Sequence, residues 1–274
     1  MSVTTFSPEV SVASPSAGQR FAWGVSDALV MLKRNLLHIP RNPELLLDVT
    51  ISPIMFVLLF RYVFGGAIAV QGTTYVNYLM AGIFVQTLVF ATMFSGVFLQ
   101  QDLQKGLIDR FRSLPIARSA VLTGRTLTDL LRGTLAVVVM LVVGVAVGFR
   151  PEGGLGGWLI GFGLLLLFSF AMTWVGITLA MLVRTPEAVQ GALFMIAFPL
   201  TFASSAFVPV ETMPGWLRVF AENQPLTIII DTLRGYLLGQ PNTSDAFLSL
   251  AWSVGLIVVF FPISVWLFTK RTAN

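Results

Sequence analysis

Residues 202–239 read FASSAFVPVETMPGWLRVFAENQPLTIIIDTLRGYLLG. The stretch opens apolar over Phe202–Val208, breaks at Pro209 and breaks again at Pro214-Gly215. Proline lacks a backbone N–H and its ring collides with the preceding turn, so a helix cannot run through either point undisturbed. Trp216, Leu217, Val219 and Phe220 then recur at the spacing of one helical face. Asn223-Gln224-Pro225 interrupts once more, and Thr227–Leu238 resumes the pattern with Ile228, Leu233 and Leu237. A solvated loop between two hydrophobic runs would not carry this much apolar and aromatic surface. Broken, amphipathic, aromatic-anchored segments belong at a membrane surface or partly re-entering it.

The composition outside this stretch agrees. The chain has 274 residues, 55% of them apolar and only 11% charged, with a mean hydropathy of +0.83. Soluble domains carry about 25% charged residues. The class expected is an all-α polytopic membrane protein. The 24 glycines suit helices that approach closely, and Trp and Tyr suit interfacial anchoring. Cysteine is absent and His38 is the single histidine, which removes disulfides and thiolate sites and argues against a histidine-based metal centre.

Six transmembrane helices are expected, at about 45–64, 75–99, 121–149, 158–183, 189–207 and 246–268. Residues 1–20 lack the charged start and apolar centre of a secretory signal and read as a disordered cytoplasmic tail. Residues 21–274 then form one transmembrane domain. Its first element, 21–39, places Phe21, Val25, Leu29, Leu32 and Leu36 on one face beside Lys33 and Arg34, as an N-terminal interfacial amphipathic helix. The fifth span is expected to bend at Pro199. Asp48 and Arg61 lie near the ends of the first span, within snorkelling reach of an interface. Arg125, Asp129 and Arg132 in the third helix stand at pairing distance along the helix. Gly144 and Gly148 have small-xxx-small spacing. With both termini cytoplasmic, all of the 17 Lys and Arg residues except Arg61, Arg150, Arg218 and Arg234 fall on the inner side. The inverted topology would reverse that split, against the positive-inside rule.

Several chemistries are excluded. No GxxxxGK[ST] occurs, so the chain has no phosphate-cradling loop of that kind. Asp48, Asp129 and Asp231 stand near predicted helix ends, so no midplane carboxylate array offers ion coupling. If the chain transports actively, energy must enter through a partner. The port is the amphipathic segment Asp102–Leu114, with Leu103, Leu107, Ile108 and Phe111 on one face and Asp102, Lys105 and Arg112 among the residues of the others. A soluble partner could hold it in a groove; alternatively it binds lipid headgroups alone. Phe90, Met93, Phe94 and Phe98 of the second span, with Phe194, Phe198 and Phe202 of the fifth, give a soft aromatic surface. It suits a bulky apolar substrate, although lipid contact or core packing is the better single explanation.

FVPVETMPGWL at 207–217, NQPLT at 223–227, DTLRG at 231–235 and RFRSLPIARS at 110–119 together resemble the permease subunits of type-2 ABC exporters. The group is similar to the daunorubicin-resistance permeases of actinobacteria, over essentially the whole chain. One departure is Gln224, which separates Asn223 from Pro225 where many such permeases read Asn-Pro directly. The resemblance implies a six-span half-transporter in the bacterial plasma membrane. A second permease copy, identical or related, and a separate ABC ATP-binding subunit that holds ATP and Mg would complete it. The chain itself would be no enzyme, would bind no cofactor, metal or nucleic acid, and would meet membrane lipids and a hydrophobic substrate such as an antibiotic, lipid or glycolipid. Asp102–Leu114 becomes the partner-coupling helix. Met213–Ala221 and Thr227–Leu238 become re-entrant outer helices between spans five and six, in a segment marked by Pro209, Met213, Pro214, Trp216, Asn223, Pro225, Asp231 and Arg234. The rival readings are a secondary transporter and a non-transporting anchor for a soluble protein.

Overall fold

The computed structural model describes residues 51, 54–68, 70, 72–104 and 118–273, and every regular element among them is helical. The expected tail 1–20, the interfacial helix 21–39, Asp48 and most of the coupling segment lie outside the described residues. The helices are α1 (Ile54–Phe64), α2 (Tyr75–Met93), α3 (Ser95–Gln104), α4 (Arg118–Ala146), α5 (Leu155–Leu182), α6 (Pro186–Phe202), α7 (Gly215–Asn223), α8 (Pro225–Leu237) and α9 (Thr243–Ala273). A 3-10 turn, Val210–Thr212, stands between α6 and α7.

Among the described residues, four stretches are long and apolar enough to cross a membrane: Tyr75–Gln104, Thr126–Ala146, Leu155–Leu182 and Thr243–Arg271. Ile54–Phe64 and Pro186–Phe202 are shorter apolar helices. α5 is the central strut and packs against α9, α2, α8 and α3. It buries Leu165, Phe168, Trp174 and Ile177, and its apolar residues run all round, as a helix enclosed on most sides requires. α9 is built the other way. It turns small Ser249, Ser253 and Ser264 inward and leaves Phe247, Trp252, Val258 and Trp266 outward. The inward hydroxyls bond across helices, Ser264 to Thr178 and Ser249 to Thr232, each at 2.7 Å. Large apolar groups outside and small polar groups at the contacts are the arrangement that lipid favours.

The second span differs from expectation in two respects. It continues to Gln104 rather than stopping near Leu99, and it is interrupted at Phe94. At that interruption α5 comes into backbone contact: a Cβ on Gly96 would collide with the Gly176 carbonyl, and one on Gly176 with the Met93 carbonyl. The fifth span is shorter than expected. α6 runs through Pro199 and ends at Phe202, and residues 203–207 turn back so that the Ala206 backbone lies directly on α2 where Gly82 has no side chain. Gly144 and Gly148 are not a helix-packing pair. Gly144 meets the flexible end of Met80, whereas Gly148, at φ +105°, forms the turn that ends α4. Asp129 and Arg132 do pair, at 3.5 Å, and the Arg132 guanidinium also lies over the Phe98 ring, 5.1 Å from its centre.

Candidate functional site

α7 and α8 lie close to the residues that sequence reading assigned to them. Pro214 precedes α7 as its N-cap and Pro225 opens α8, where the missing N–H costs nothing. Pro209 likewise caps the 3-10 turn, whose last bond runs from the Met213 N–H to the Val210 carbonyl. Asn223 ends α7 by donating from Nδ2 to the Val219 carbonyl at 2.8 Å. Trp216 is exposed. Gln224 is buried, and its Nε2 donates to the carbonyls of Leu200 (2.9 Å) and Ala203. Those acceptors belong to the last turn of α6, whose carbonyls no longer have helical donors. Gln224 thus ties the end of α6 to the start of α8.

Asp231 and Arg234 form the polar centre of this segment. They are joined as an ion pair one turn apart on α8. Ser205 Oγ donates to Asp231 at 2.7 Å. Arg234 also donates from Nη2 to the Ser205 carbonyl at 2.6 Å and from Nε to the Tyr78 carbonyl at 3.1 Å. Its guanidinium lies 3.6 Å from the centre of the Tyr78 ring. One side chain therefore clamps α8, α2 and the turn after α6, using a planar fork that a lysine could not reproduce. Burial pushes the Asp231 carboxyl up from its ordinary value, and Arg234 and Ser205 pull it back. The clamp forms one wall of an open cavity of about 610 Å³, with Thr212, Glu211 and Glu152 at its other sides.

The aromatic residues separate into groups. Phe94 stands edge-on to Phe194 at 5.4 Å, with Phe90 6.3 Å from both. Phe198 stacks on Phe202 at 4.3 Å, Phe202 contacts Phe207, and Phe207 stacks on Phe60 of α1 at 4.3 Å. Phe194, Phe198 and Phe202 are exposed along α6, whereas Met93 is wholly buried in the core and Phe98 is engaged by Arg132.

A family model described as ABC-2 type transporter matches residues 27–238. The chain belongs to the ABC-2 type transporter family. It is 34% identical over 261 residues to the daunorubicin resistance ABC transporter permease protein DrrB1 of Streptomyces coeruleorubidus, covering 94% of this chain and 92% of that one. It is 27% identical to the probable doxorubicin resistance ABC transporter permease protein DrrC of Mycobacterium tuberculosis, covering 94% of each chain. A more distant relative is the putative transport permease ycf38 of Cyanophora paradoxa, at 25% identity over 90% of this chain and 89% of that one.

In this ABC-2 chain, Asp102 and Leu103 sit half-buried in the last turn of α3, where Leu103 packs against the core. Lys105, Leu107, Ile108, Phe111 and Arg112 lie outside the described residues. Sequence reading missed two participants in the Asp231–Arg234 clamp, Tyr78 and Ser205, and the Gln224 tie beside it. Tyr78 is 156 residues from Arg234 and had no local signal. Ser205 reads as an ordinary residue of an apolar run. Gln224 was noticed only as a departure from the ABC-2 pattern, although its buried amide is what holds the chain reversal.

Proposed function

We propose that this ABC-2 chain is the permease subunit of an ATP-driven exporter that moves a hydrophobic or amphiphilic compound outward across the bacterial plasma membrane. The observation that carries this reading is the family match over residues 27–238. Relatives named for daunorubicin and doxorubicin resistance point to polycyclic antibiotics as the first substrate class to test. The chain contains no GxxxxGK[ST], so a separate ATP-binding subunit would hold ATP and Mg and drive the cycle. A second permease copy, identical or related, would close the path.

The fold supports finer features of the same reading. α1 and α6, though short among the apolar helices, bring the spans to six if each is continued by a broken segment at its end. Both termini then lie inside. α7 and α8 are the re-entrant outer helices, because α7 keeps an apolar face outside the protein while α8 is packed within it. The exposed phenylalanines of α6 offer the substrate an apolar wall. Asp102–Leu114, continuing from α3, is the coupling helix through which nucleotide-driven closure of the partner shifts the spans between inward and outward states.

The test is co-expression with the ATP-binding subunit. Cells carrying both chains should accumulate less daunorubicin than cells carrying either alone, and Leu107→Asp with Phe111→Asp should abolish partner pull-down and stimulated ATP hydrolysis. Persistence of both in that double variant removes the coupling assignment. Efflux that survives ATP depletion and collapses with an uncoupler overturns the exporter reading in favour of a secondary transporter.

A further inference from the structure

The inner ends of α3, α5 and α9 meet at one buried polar knot. Gln100, in the last turns of α3, is 1% exposed. Its Nε2 donates to the Arg184 carbonyl at 2.5 Å, in the turn between α5 and α6. Its Oε1 accepts from Arg271 Nη1 at 3.2 Å. The same guanidinium nitrogen lies 3.0 Å from the carbonyls of Ala180 and Val183 and 3.4 Å from that of Met181. These are the last carbonyls of α5, which lack helical donors and carry the negative end of the helix dipole. A single cation among four oxygens satisfies several of these groups at once through charge-assisted hydrogen bonds, which are stronger than neutral ones.

Two further facts give the knot a mechanical meaning. First, α3 continues from Gln100 through Asp102 to Gln104, and the rest of the proposed coupling segment follows it in the sequence. Second, α3 and α5 touch backbone to backbone at Gly96 and Gly176, with no room for a Cβ. α3 is thus held to α5 at two points along its length, and through Arg271 to the end of α9 as well.

We propose that Gln100 and Arg271 are positioning residues for energy coupling: they make α3, α5 and α9 one rigid lever, so that a push on the segment after α3 moves all three together. The proposal rests on the permease reading above. It predicts a loss of transport per ATP rather than a loss of either function outright.

The experiment uses the chain with its ATP-binding subunit in proteoliposomes, with ATP turnover and daunorubicin transport read from the same preparation. Arg271→Gln and Gln100→Leu should each lower transport per ATP by about fivefold or more, the scale of a site-to-site coupling. ATP turnover should stay near that of the unaltered complex, and Arg271→Lys, which keeps the charge, should recover most of the ratio. A parallel fall in turnover and transport, or an unchanged ratio, would overturn the proposal and leave the knot a helix cap. Because the chain has no cysteine, Gln100→Cys with Arg271→Cys supplies a second arm. A short thiol crosslinker should restore the ratio in that variant, and failure to restore it, or absence of all these variants from the membrane, also rejects the lever. No transport by the unaltered complex would instead sink the permease reading.

Discussion

Between Gly215 and Leu237 two short helices follow one another through a single Gln-Pro step, and each carries an apolar stripe. α7 leaves Trp216, Val219 and Phe220 outward, at 77%, 64% and 46% exposure, and buries Ala221 alone. α8 buries Leu226, Ile228, Ile229, Ile230, Leu233 and Leu237 against α5, α9 and α2. The charged pairs follow suit. Arg218 and Glu222 on α7 meet at 2.6 Å with both side chains exposed, whereas Arg234 and Asp231 on α8 are drawn into contacts with Tyr78 and Ser205. A helical stripe declares that one face avoids water; it does not say whether protein or lipid will cover that face.

The contrast is broken most forcefully by a charge in each stripe. Ile230→Asp places an unpaired carboxylate at a fully buried position, which the interior cannot accommodate. The expected result is no monodisperse protein after solubilisation, while Val219→Asp on α7 gives a normal elution profile. Equal failure of the two would erase the distinction between the helices.

Next in size is Arg234→Ala, which strands Asp231 and frees two carbonyls. A loss of about 3 kcal/mol is expected, the lower end for a buried pair because Asp231 is partly exposed. Thermal unfolding in detergent would read it, with Arg218→Ala on α7 leaving the midpoint where it was. Adding Asp231→Ala to Arg234→Ala should return part of the loss, since the stranded carboxylate is then gone.

Gln224→Ala probes the joint between the two helices. Removing the amide leaves the partly buried carbonyls of Leu200 and Ala203 without this donor and should cost about 1–3 kcal/mol. A midpoint unchanged from the parent would show that those carbonyls find other donors.

The smallest stability effect belongs to Trp216→Phe. It should leave unfolding unaltered yet remove a fluorescence component quenched by lipids labelled near the headgroups. A Trp216 signal quenched only by aqueous iodide would place α7 in water and not in lipid.

Much of the architecture could be read along the chain because its determinants are local. Backbone groups in hydrocarbon must bond within their own helix, so the runs around 75–104, 155–182 and 243–271 announce themselves by length and apolarity. The breaks at Pro209, Pro214 and Pro225 are equally local, because proline removes a donor wherever it stands. Of the candidate site, Asp231 and Arg234 could be paired from their spacing. Their further partners could not, since a carbonyl on Tyr78 leaves no trace in the residue type that bears it.

By itself, then, the sequence determined that this is an apolar helical chain with basic residues concentrated away from its interrupted segment, because desolvation and helix geometry act residue by residue. Only the tertiary structure decided which of two similar amphipathic helices turns its stripe to protein, where α6 stops, and which distant carbonyls Gln224 and Arg234 satisfy. Those outcomes depend on backbones meeting where glycine leaves no side chain between them, at Gly82 against Ala206 and at Gly153 and Gly157 against the Tyr236 carbonyl of α8, and such a meeting is a property of two segments at once.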